Sequence, residues 1–300
     1  MMERLAWLKA FEVRKEPLLW ALGGIASFVG FFLLTFPYGS LESRTLSEIR
    51  QATGWDIRAS EWSRGFPVAV EWNSVSLTRP GAPLIQLESM RLSIPLLVQL
   101  FGQRSVEASM RFPGNSPAGA GRLSGVVTGS SWTFQGPMTL TGRAHQIDLA
   151  QVVRPYVTRG LFDATVAQRW VGTSSGGIEF KGDGTWKTEI KDLLLEHVPV
   201  GSGTLPTLAF SRITLALTCR DALCDVSEFK GDGPDGSVTG QGRVALRYPL
   251  QLSSLDLTFT VVTGSGWAQK SAGLPIPPLP PGTPLTLKLV GSVANPRLSV

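Results

Sequence analysis

The sequence predicts a mainly β protein, in which one membrane-spanning helix near the N-terminus precedes a large domain of strands with a few short helices. Three observations support this prediction. Residues 18–36 contain no charged side chain. Further along, apolar residues alternate with polar or small ones in one segment after another. A content of 33 Gly, 21 Pro and only 17% charged residues is typical of a turn-rich β domain.

Leu18–Phe36 has the length of a membrane span. A helix of this size is about 28 Å long, close to the hydrocarbon thickness of a bilayer, and a lone apolar segment satisfies its backbone groups in lipid only as a helix. The alternative is a cleaved secretory signal, but its apolar region is usually shorter and ends at a small-residue cleavage site. Basic residues precede the span and none occurs in 38–43, which predicts a cytoplasmic N-terminus and an exported C-terminal domain.

These features divide the chain into a cytoplasmic tail (1–17), the transmembrane helix (18–36), a juxtamembrane helix (37–54) and a β-rich domain (55–300). Apolar residues at helical spacing predict the juxtamembrane helix, and Gly54 is expected to end it. The glycine-rich loop 113–121 is a candidate internal boundary. The net charge of +5 is spread singly along the chain, so we do not expect nucleic-acid binding.

The strand predictions rest on a period of two in the apolar residues. Between two of them, Pro95 and Gly102 bracket a predicted two-turn helix, and Asp148 predicts the cap of another that runs through Val157. The apolar positions of the strands are Val68, Val70, Trp72, Val75 and Leu77; Met90, Leu92 and Ile94; Val106, Ala108, Met110 and Phe112; Trp132, Phe134, Met138 and Leu140; Phe162, Ala164, Val166 and Trp170; Trp186, Thr188 and Ile190; Ile213, Leu215 and Leu217; Val244, Leu246 and Tyr248; Leu255, Leu257, Phe259 and Val261; and Leu285, Leu287 and Leu289.

The hexapeptide EFKGDG occurs twice, at 179–184 and at 228–233. We interpret it as a repeated hairpin unit in which each copy closes a strand, the alternative being coincidence in a glycine-rich chain. The proline-rich segment 275–281 predicts a stiff connector before the last strands, or alternatively a polyproline ligand for a partner.

The chain has two cysteines, Cys219 and Cys224. In an oxidising compartment the pair can close a small disulfide loop, which would contribute about 2 kcal/mol to stability. Free thiols are the alternative. A metal site would need two further ligands, and His145 and His197 offer none at suitable spacing.

No residue pattern makes a strong case for catalysis. Ser174 lies in a G-x-S-x-G sequence at 172–176, with Asp183 or Asp192 and then His197 following in the order of a hydrolase triad. That mechanism requires a sharp strand-to-helix turn, whereas this segment is typical of a hairpin loop. The sequence has no paired metal ligands, phosphate loop or dinucleotide fingerprint. We therefore predict a protein that is not an enzyme and that uses no cofactor.

Three segments together give a resemblance. They are the predicted span with Thr53-Gly54-Trp55 and the strands through Leu77; residues 87–102, LESMRLSIPLLVQLFG; and residues 240–246, GQGRVAL, with SLDL at 254–257 and GSVANPRL at 291–298. In these segments the chain resembles the type II secretion system protein N family (GspN) and, more distantly, the AsmA-like envelope proteins.

The resemblance implies a non-enzymatic protein of the bacterial inner membrane whose C-terminal domain faces the periplasm. Its partners would be other type II secretion components, bound by protein–protein interaction, with membrane lipid contacting the anchor. The AsmA-like relation implies an elongated, curved antiparallel sheet, and it gives an alternative function, a lipid-binding or lipid-transfer module with an apolar groove for phospholipid. Ordinary core packing is the competing interpretation of the candidate groove residues, Trp132, Phe134, Met138 and Leu140.

Overall fold

The structure, a computed structural model, is mainly β. It describes residues 54–65, 68–79, 83–95, 102–114, 119–131, 135–173, 178–196, 199–200, 203–204, 207–248, 250–270, 280 and 282–299, together with Ser27, Leu46, Ser47 and Arg50. The chain divides into two compact units, Met1–Thr45 and Leu46–Val300. Every described strand belongs to the second unit.

The predicted membrane span Leu18–Phe36 lies outside the described residues, apart from Ser27, which is helical. Within the described part of the chain, no helix is both long enough and apolar enough to cross a membrane. The predicted helix between Pro95 and Gly102 also lies largely outside the described residues. In the predicted juxtamembrane helix, Leu46, Ser47 and Arg50 are helical. Gly54 has φ +72°, and its N–H donates to the Arg50 carbonyl at 2.9 Å.

The second unit contains one large sheet and a separate two-stranded hairpin. Its strands are β1 (Asp56–Gly65), β2 (Ala69–Thr78), β3 (Ile85–Ser93), β4 (Arg104–Arg111), β5 (Arg122–Gly129), β6 (Gly136–Asp148), β7 (Val157–Gly172), β8 (Ile178–Glu179), β9 (Asp183–Leu195), β10 (Pro199–Val200), β11 (Gly203–Thr204), β12 (Leu208–Arg220), β13 (Leu223–Gly233), β14 (Gly236–Ala245), β15 (Ser254–Thr263), β16 (Pro284–Ser292) and β17 (Asn295–Ser299).

The large sheet is an open antiparallel meander. Fourteen strands follow one another in chain order from β1 to β17, β8 pairs off this path with β7, and β10 pairs with β11 in the separate hairpin. Consecutive antiparallel strands need only short connections, which explains the many glycine and proline turns. The sheet also continues across the loop 113–121, because β4 and β5 pair directly.

In the part of the chain that the structure describes, two short helices interrupt the meander, α1 (Leu149–Val152) and α2 (Ser265–Lys270), and a 3₁₀ turn spans Leu250–Leu252. The predicted cap of α1 is confirmed, because the Asp148 carboxylate accepts the N–H of Ala150 at 3.0 Å. The helix is shorter than predicted and ends at Val152. Pro155 explains this, since it lacks an N–H and disfavours helical geometry in the residue before it.

The alternation of apolar and polar side chains along a strand shifts by one residue at two places, and at each place a residue other than glycine has a positive φ. In β2, Trp72 and Val75 are three residues apart yet both are buried, and Ser74 between them has φ +49°. In β6, Gln146 has φ +50° at a bulge between Ala144 and Ile147. Such conformations are uncommon outside glycine, and here they keep apolar side chains on the same side of a long strand.

The two copies of EFKGDG differ in structure, so the repeated hairpin unit is wrong. The second copy forms the last six residues of β13. The first copy ends the short strand β8 and begins β9, with a loop between them. Among the long strands, β1 and β5 were not predicted, and β6, β7, β9 and β12 extend beyond the apolar positions that predicted them.

Candidate functional site

One side of the sheet, the apolar face, carries apolar side chains across at least ten consecutive strands of the path. Residues directly opposite each other in an antiparallel pair project to the same side of the sheet. The register therefore defines a single row from β1 to β13, broken only by one threonine. The row is Trp62, Trp72, Met90, Met110, Leu123, Ala144, Ala164, Thr188, Leu215 and Phe229.

The apolar face is covered to different degrees along its length. In β2 and β3 its largest side chains are mostly buried: Val70 and Trp72 are 0% exposed, Leu87 is 2% exposed and Met90 is 4% exposed. From β5 onward most of its large side chains are only half-buried, although they are equally apolar. These half-buried residues include Leu123, Val127, Leu140, Val166, Trp186, Leu215, Phe229, Leu257, Phe259 and Leu287.

The structure places two of the four predicted groove residues on the apolar face. Met138 lies opposite Trp170 and is buried, whereas Leu140 lies opposite Gln168 and is half-buried. Trp132 and Phe134 lie outside the described residues. The predicted groove is therefore represented here by Met138 and Leu140, within a much larger apolar surface.

A glycine makes room for two large side chains on the apolar face. Phe229 and Phe259 contact edge to face, with ring centroids 5.0 Å apart, above Gly240 on the strand between them. A Cβ at Gly240 would come within 2.7 Å of the Phe259 ring and 3.0 Å of the Phe229 ring. A side chain at residue 240 would therefore displace both rings.

The predicted disulfide between Cys219 and Cys224 is confirmed. The two residues lie directly opposite each other at the end of the β12–β13 hairpin, and both are 0% exposed. They pack with Phe180 and Leu246 in a buried cluster that closes this end of the apolar face. A hydrogen bond joins the turn of this hairpin to the loop before β9, because the Asp221 carboxylate accepts the N–H of Gly182 at 2.9 Å.

Polar side chains enter the apolar face next to this cluster. Gln168 is 1% exposed, and its Oε1 accepts the indole N–H of Trp186 at 3.3 Å. Its Nε2 donates to the Arg169 carbonyl at 3.0 Å. The indole nitrogen of the neighbouring Trp170 is buried without a hydrogen-bond partner in the described part of the chain. Both the nitrogen and the oxygen of the buried Gln168 amide therefore have a hydrogen-bond partner, as is usual for buried polar groups.

The opposite side of the sheet, the polar face, carries a network of charged side chains. Asp163 accepts His145 Nδ1 at 2.9 Å and the Gln146 N–H at 3.0 Å, and Lys191 Nζ lies 3.7 Å from its second oxygen. Burial raises the pKa of Asp163, but these hydrogen bonds and the charge of Lys191 outweigh it, so the pKa lies below its ordinary value. Asp163 is therefore held as a carboxylate.

Of the residues considered for catalysis, the structure describes only Asp183 and Asp192, and of the two histidines it describes only His145. His145 is exposed on the polar face and bonded to Asp163, and Asp183 and Asp192 lie at the start and near the end of β9. Ser174 and His197 lie outside the described residues. Among the residues that are described, no group of three His, Cys, Asp or Glu side chains could hold a metal ion.

Comparisons with known proteins add no relative. No protein-family model, curated protein or solved structure matches this chain. The residues, the two faces of the sheet and its edges therefore carry the information about function.

The sequence predicts the candidate groove on one strand, whereas the structure has an apolar face over most of the sheet. The signal was present in the sequence, because nearly every strand repeats the alternation. The strands can be aligned into one face only when their pairing register is known, however. In addition, the alternation of apolar and polar side chains shifts by one residue after Ser74 and after Gln146. The charged network around Asp163 gave no sequence signal, since its members come from three separate strands.

Proposed function

We propose that this chain is a non-enzymatic component of type II protein secretion, anchored in the bacterial inner membrane by Leu18–Phe36 with its sheet in the periplasm. The fold carries the proposal: a mainly β, antiparallel open sheet follows the predicted anchor, as expected from the resemblance to the GspN family. The disulfide Cys219–Cys224 agrees with an oxidising compartment. The protein acts by binding other secretion components.

The edge strand β1 offers a surface for such binding. It is ten residues long and terminates the fourteen-strand path, pairing with β2 on one side. An edge strand presents backbone N–H and C=O groups that can pair with an extended segment of a partner. Most of its side chains are exposed. The partner segment would extend the sheet by one strand.

Trp62 gives this edge an aromatic anchor. It lies opposite the fully buried Trp72, yet it is itself 39% exposed. Exposed tryptophans at an interface commonly contribute a large share of the binding energy. A partner strand added to β1 would cover Trp62 and extend the apolar face.

Crosslinking in intact cells tests this proposal. A photo-reactive amino acid replacing Trp62 should crosslink to a named component of the secretion apparatus, and the same amino acid at Tyr248, which is 41% exposed away from β1, should not. Deletion of the gene should reduce secretion of a type II substrate at least tenfold, with restoration by the wild-type chain. Unchanged secretion together with no crosslinked secretion component would overturn the proposal.

A second function, lipid binding, is favoured by the half-buried part of the apolar face. From β5 to β16 the face exposes parts of many aliphatic and aromatic side chains, whereas soluble monomers rarely expose large contiguous apolar patches. Acyl chains of phospholipid would cover these side chains. This is the alternative that the AsmA-like relation implies.

Native mass spectrometry of the gently purified full chain tests lipid binding. Leu257 and Thr258 provide a matched pair, because they are neighbours on β15 that project to opposite faces. Leu257→Gln should reduce the amount of copurifying phospholipid severalfold, and Thr258→Gln should leave it unchanged. If the wild-type chain carries no phospholipid, or if both variants carry the same amount, the lipid-binding function is wrong.

A further inference from the structure

A cleft of about 690 Å³ lies on the polar face, across β5, β6, β7 and β9. Its size falls within the range of small-molecule sites. It is open to solvent on the side away from the apolar face, so it is separate from the surface proposed above for lipid chains. We name it the polar cleft. The lining residues that matter for its chemistry are Arg122, Ser124, Arg143, Thr165 and Lys187, with Asp163 and Glu189 beside them.

Three cations of the polar cleft lack an acidic partner. Arg122, Arg143 and Lys187 are exposed, and none of them forms an ion pair or hydrogen bond with another described residue. Elsewhere on the polar face, cations such as Lys230 and Arg243 are paired with acids on the same or the next strand. The three cleft cations are therefore available to an external anion.

The two acids of the polar cleft are already neutralised by other groups. Asp163 is bonded to His145 and the Gln146 N–H and lies near Lys191. Glu189 accepts Arg212 Nε at 2.7 Å and lies 3.6 Å from Lys191 Nζ. Because each acid has its own cation, neither cancels the charge of the three unpaired ones.

Hydroxyl groups lie between the unpaired cations. The register places Ser124, Arg143, Thr165 and Lys187 in one row across four strands. Neighbouring strands are about 4.8 Å apart, so Arg143 and Lys187 flank Thr165 at a distance that their long side chains can span. Neither Ser124 nor Thr165 uses its hydroxyl in a hydrogen bond within the described structure. Every group free to bind a ligand here can donate a hydrogen bond.

We propose that the polar cleft binds a phosphate-bearing anion. The guanidinium groups of Arg122 and Arg143 can each donate two parallel hydrogen bonds to a phosphate. Lys187 adds a positive charge, and the hydroxyls of Ser124 and Thr165 can donate further hydrogen bonds. The phosphate belongs either to a free phosphorylated metabolite or to a lipid headgroup that reaches the polar face. This site goes beyond the proposed secretion function and does not depend on it.

Calorimetric titration of the full chain in a neutral detergent tests the site. The probes are inorganic phosphate, glycerophosphoglycerol (the soluble headgroup of a phospholipid) and hexaglutamate. The cleft variant is Arg122→Gln/Arg143→Gln/Lys187→Gln. The control variant is Arg58→Gln/Lys230→Gln/Arg243→Gln, which removes the same charge from ion-paired positions outside the cleft. Far-UV circular dichroism verifies that both variants fold.

We expect the cleft variant to weaken binding of the phosphate probe at least tenfold and the control variant to weaken it less than twofold. Tighter binding of inorganic phosphate identifies a free phosphate as the source, and equal or tighter binding of glycerophosphoglycerol identifies a lipid headgroup; either result supports the site. The site is overturned if the wild-type chain binds neither phosphate probe, if hexaglutamate binds more tightly than both, or if the two variants weaken binding equally.

Discussion

The first strands and the last strands of the sheet have the same sequence pattern but different environments. In β2 and β3 most of the large side chains of the apolar face are buried, with Trp72 at 0% exposure. In β14 to β16 the same face carries residues such as Leu257 and Phe259 that are only half-buried. Alternation therefore tells which side of a strand is apolar, but it does not tell whether that side becomes a core or a surface.

The two regions also differ in what stabilises them. The early strands depend on burial of large side chains, which contributes about 1.5–3 kcal/mol for each one. The late strands, from β12 onward, are stabilised by specific interactions at their ends. The disulfide cluster lies at one end, and at the other Asp235, 5% exposed, accepts Lys270 Nζ and the Ala209 N–H, both at 2.7 Å. Such clamps leave the middle of the face free for a ligand or partner.

The largest difference is expected from matched aromatic truncations. Trp72→Ala should reduce the free energy of unfolding by about 3–5 kcal/mol, because it leaves a cavity in a closed region. Phe259→Ala should reduce it by about 1–2 kcal/mol, since part of that ring already contacts solvent. Urea denaturation of both variants measures the difference. Equal losses would show that the late strands are as well packed as the early ones.

The next largest effect is expected at the buried carboxylate that holds α2. Lys270→Ala leaves Asp235 buried without its cation and should cost about 2–3 kcal/mol, somewhat less than for a fully buried pair because Lys270 is partly exposed. Arg243→Ala is the control, since its pair with Asp225 is exposed on both sides, and it should cost less than about 1 kcal/mol. Thermal unfolding compares them. A similar loss in both would mean that the clamp contributes no more than a surface pair.

A comparable loss is expected from removal of the disulfide. Cys219→Ala/Cys224→Ala opens a short loop without burying new polar groups, and the chain-entropy estimate for the loop is about 2 kcal/mol. The late strands should unfold more readily, while amides of β2 and β3 keep their protection. Hydrogen exchange measured strand by strand separates the two regions. Loss of protection in β2 and β3 to the same extent would show that the sheet unfolds as one unit and that the comparison does not hold.

The sequence was sufficient for the fold class and for most of the individual strands, because apolar alternation is a local property. It was also sufficient for the disulfide, since Cys219 and Cys224 are close in the chain. It could not predict which parts of the apolar face are buried, because burial depends on contacts between segments that are distant in the chain. Strand β5 was missed because Gly125 and Gly129 occupy apolar-face positions, and the polar cleft was missed because its cations lie on three strands.

The smallest effect concerns the polar face, where the charges around Asp163 are a third kind of interaction. The pKa of Asp163 is lowered in the folded protein, so the unfolded chain binds this proton more readily than the folded one. Its contribution to stability is therefore complete above the ordinary pKa of 3.8 and is lost as the pH falls towards the folded pKa below it.

Asp163→Asn should lower the unfolding free energy by less than about 1 kcal/mol at pH 7. Urea denaturation from pH 7 to pH 3 should show the variant and the wild-type chain converging in acid, because the protonated carboxyl and the amide then resemble each other. A gap that stays constant over this range would mean that the network stabilises the sheet through shape and not through charge.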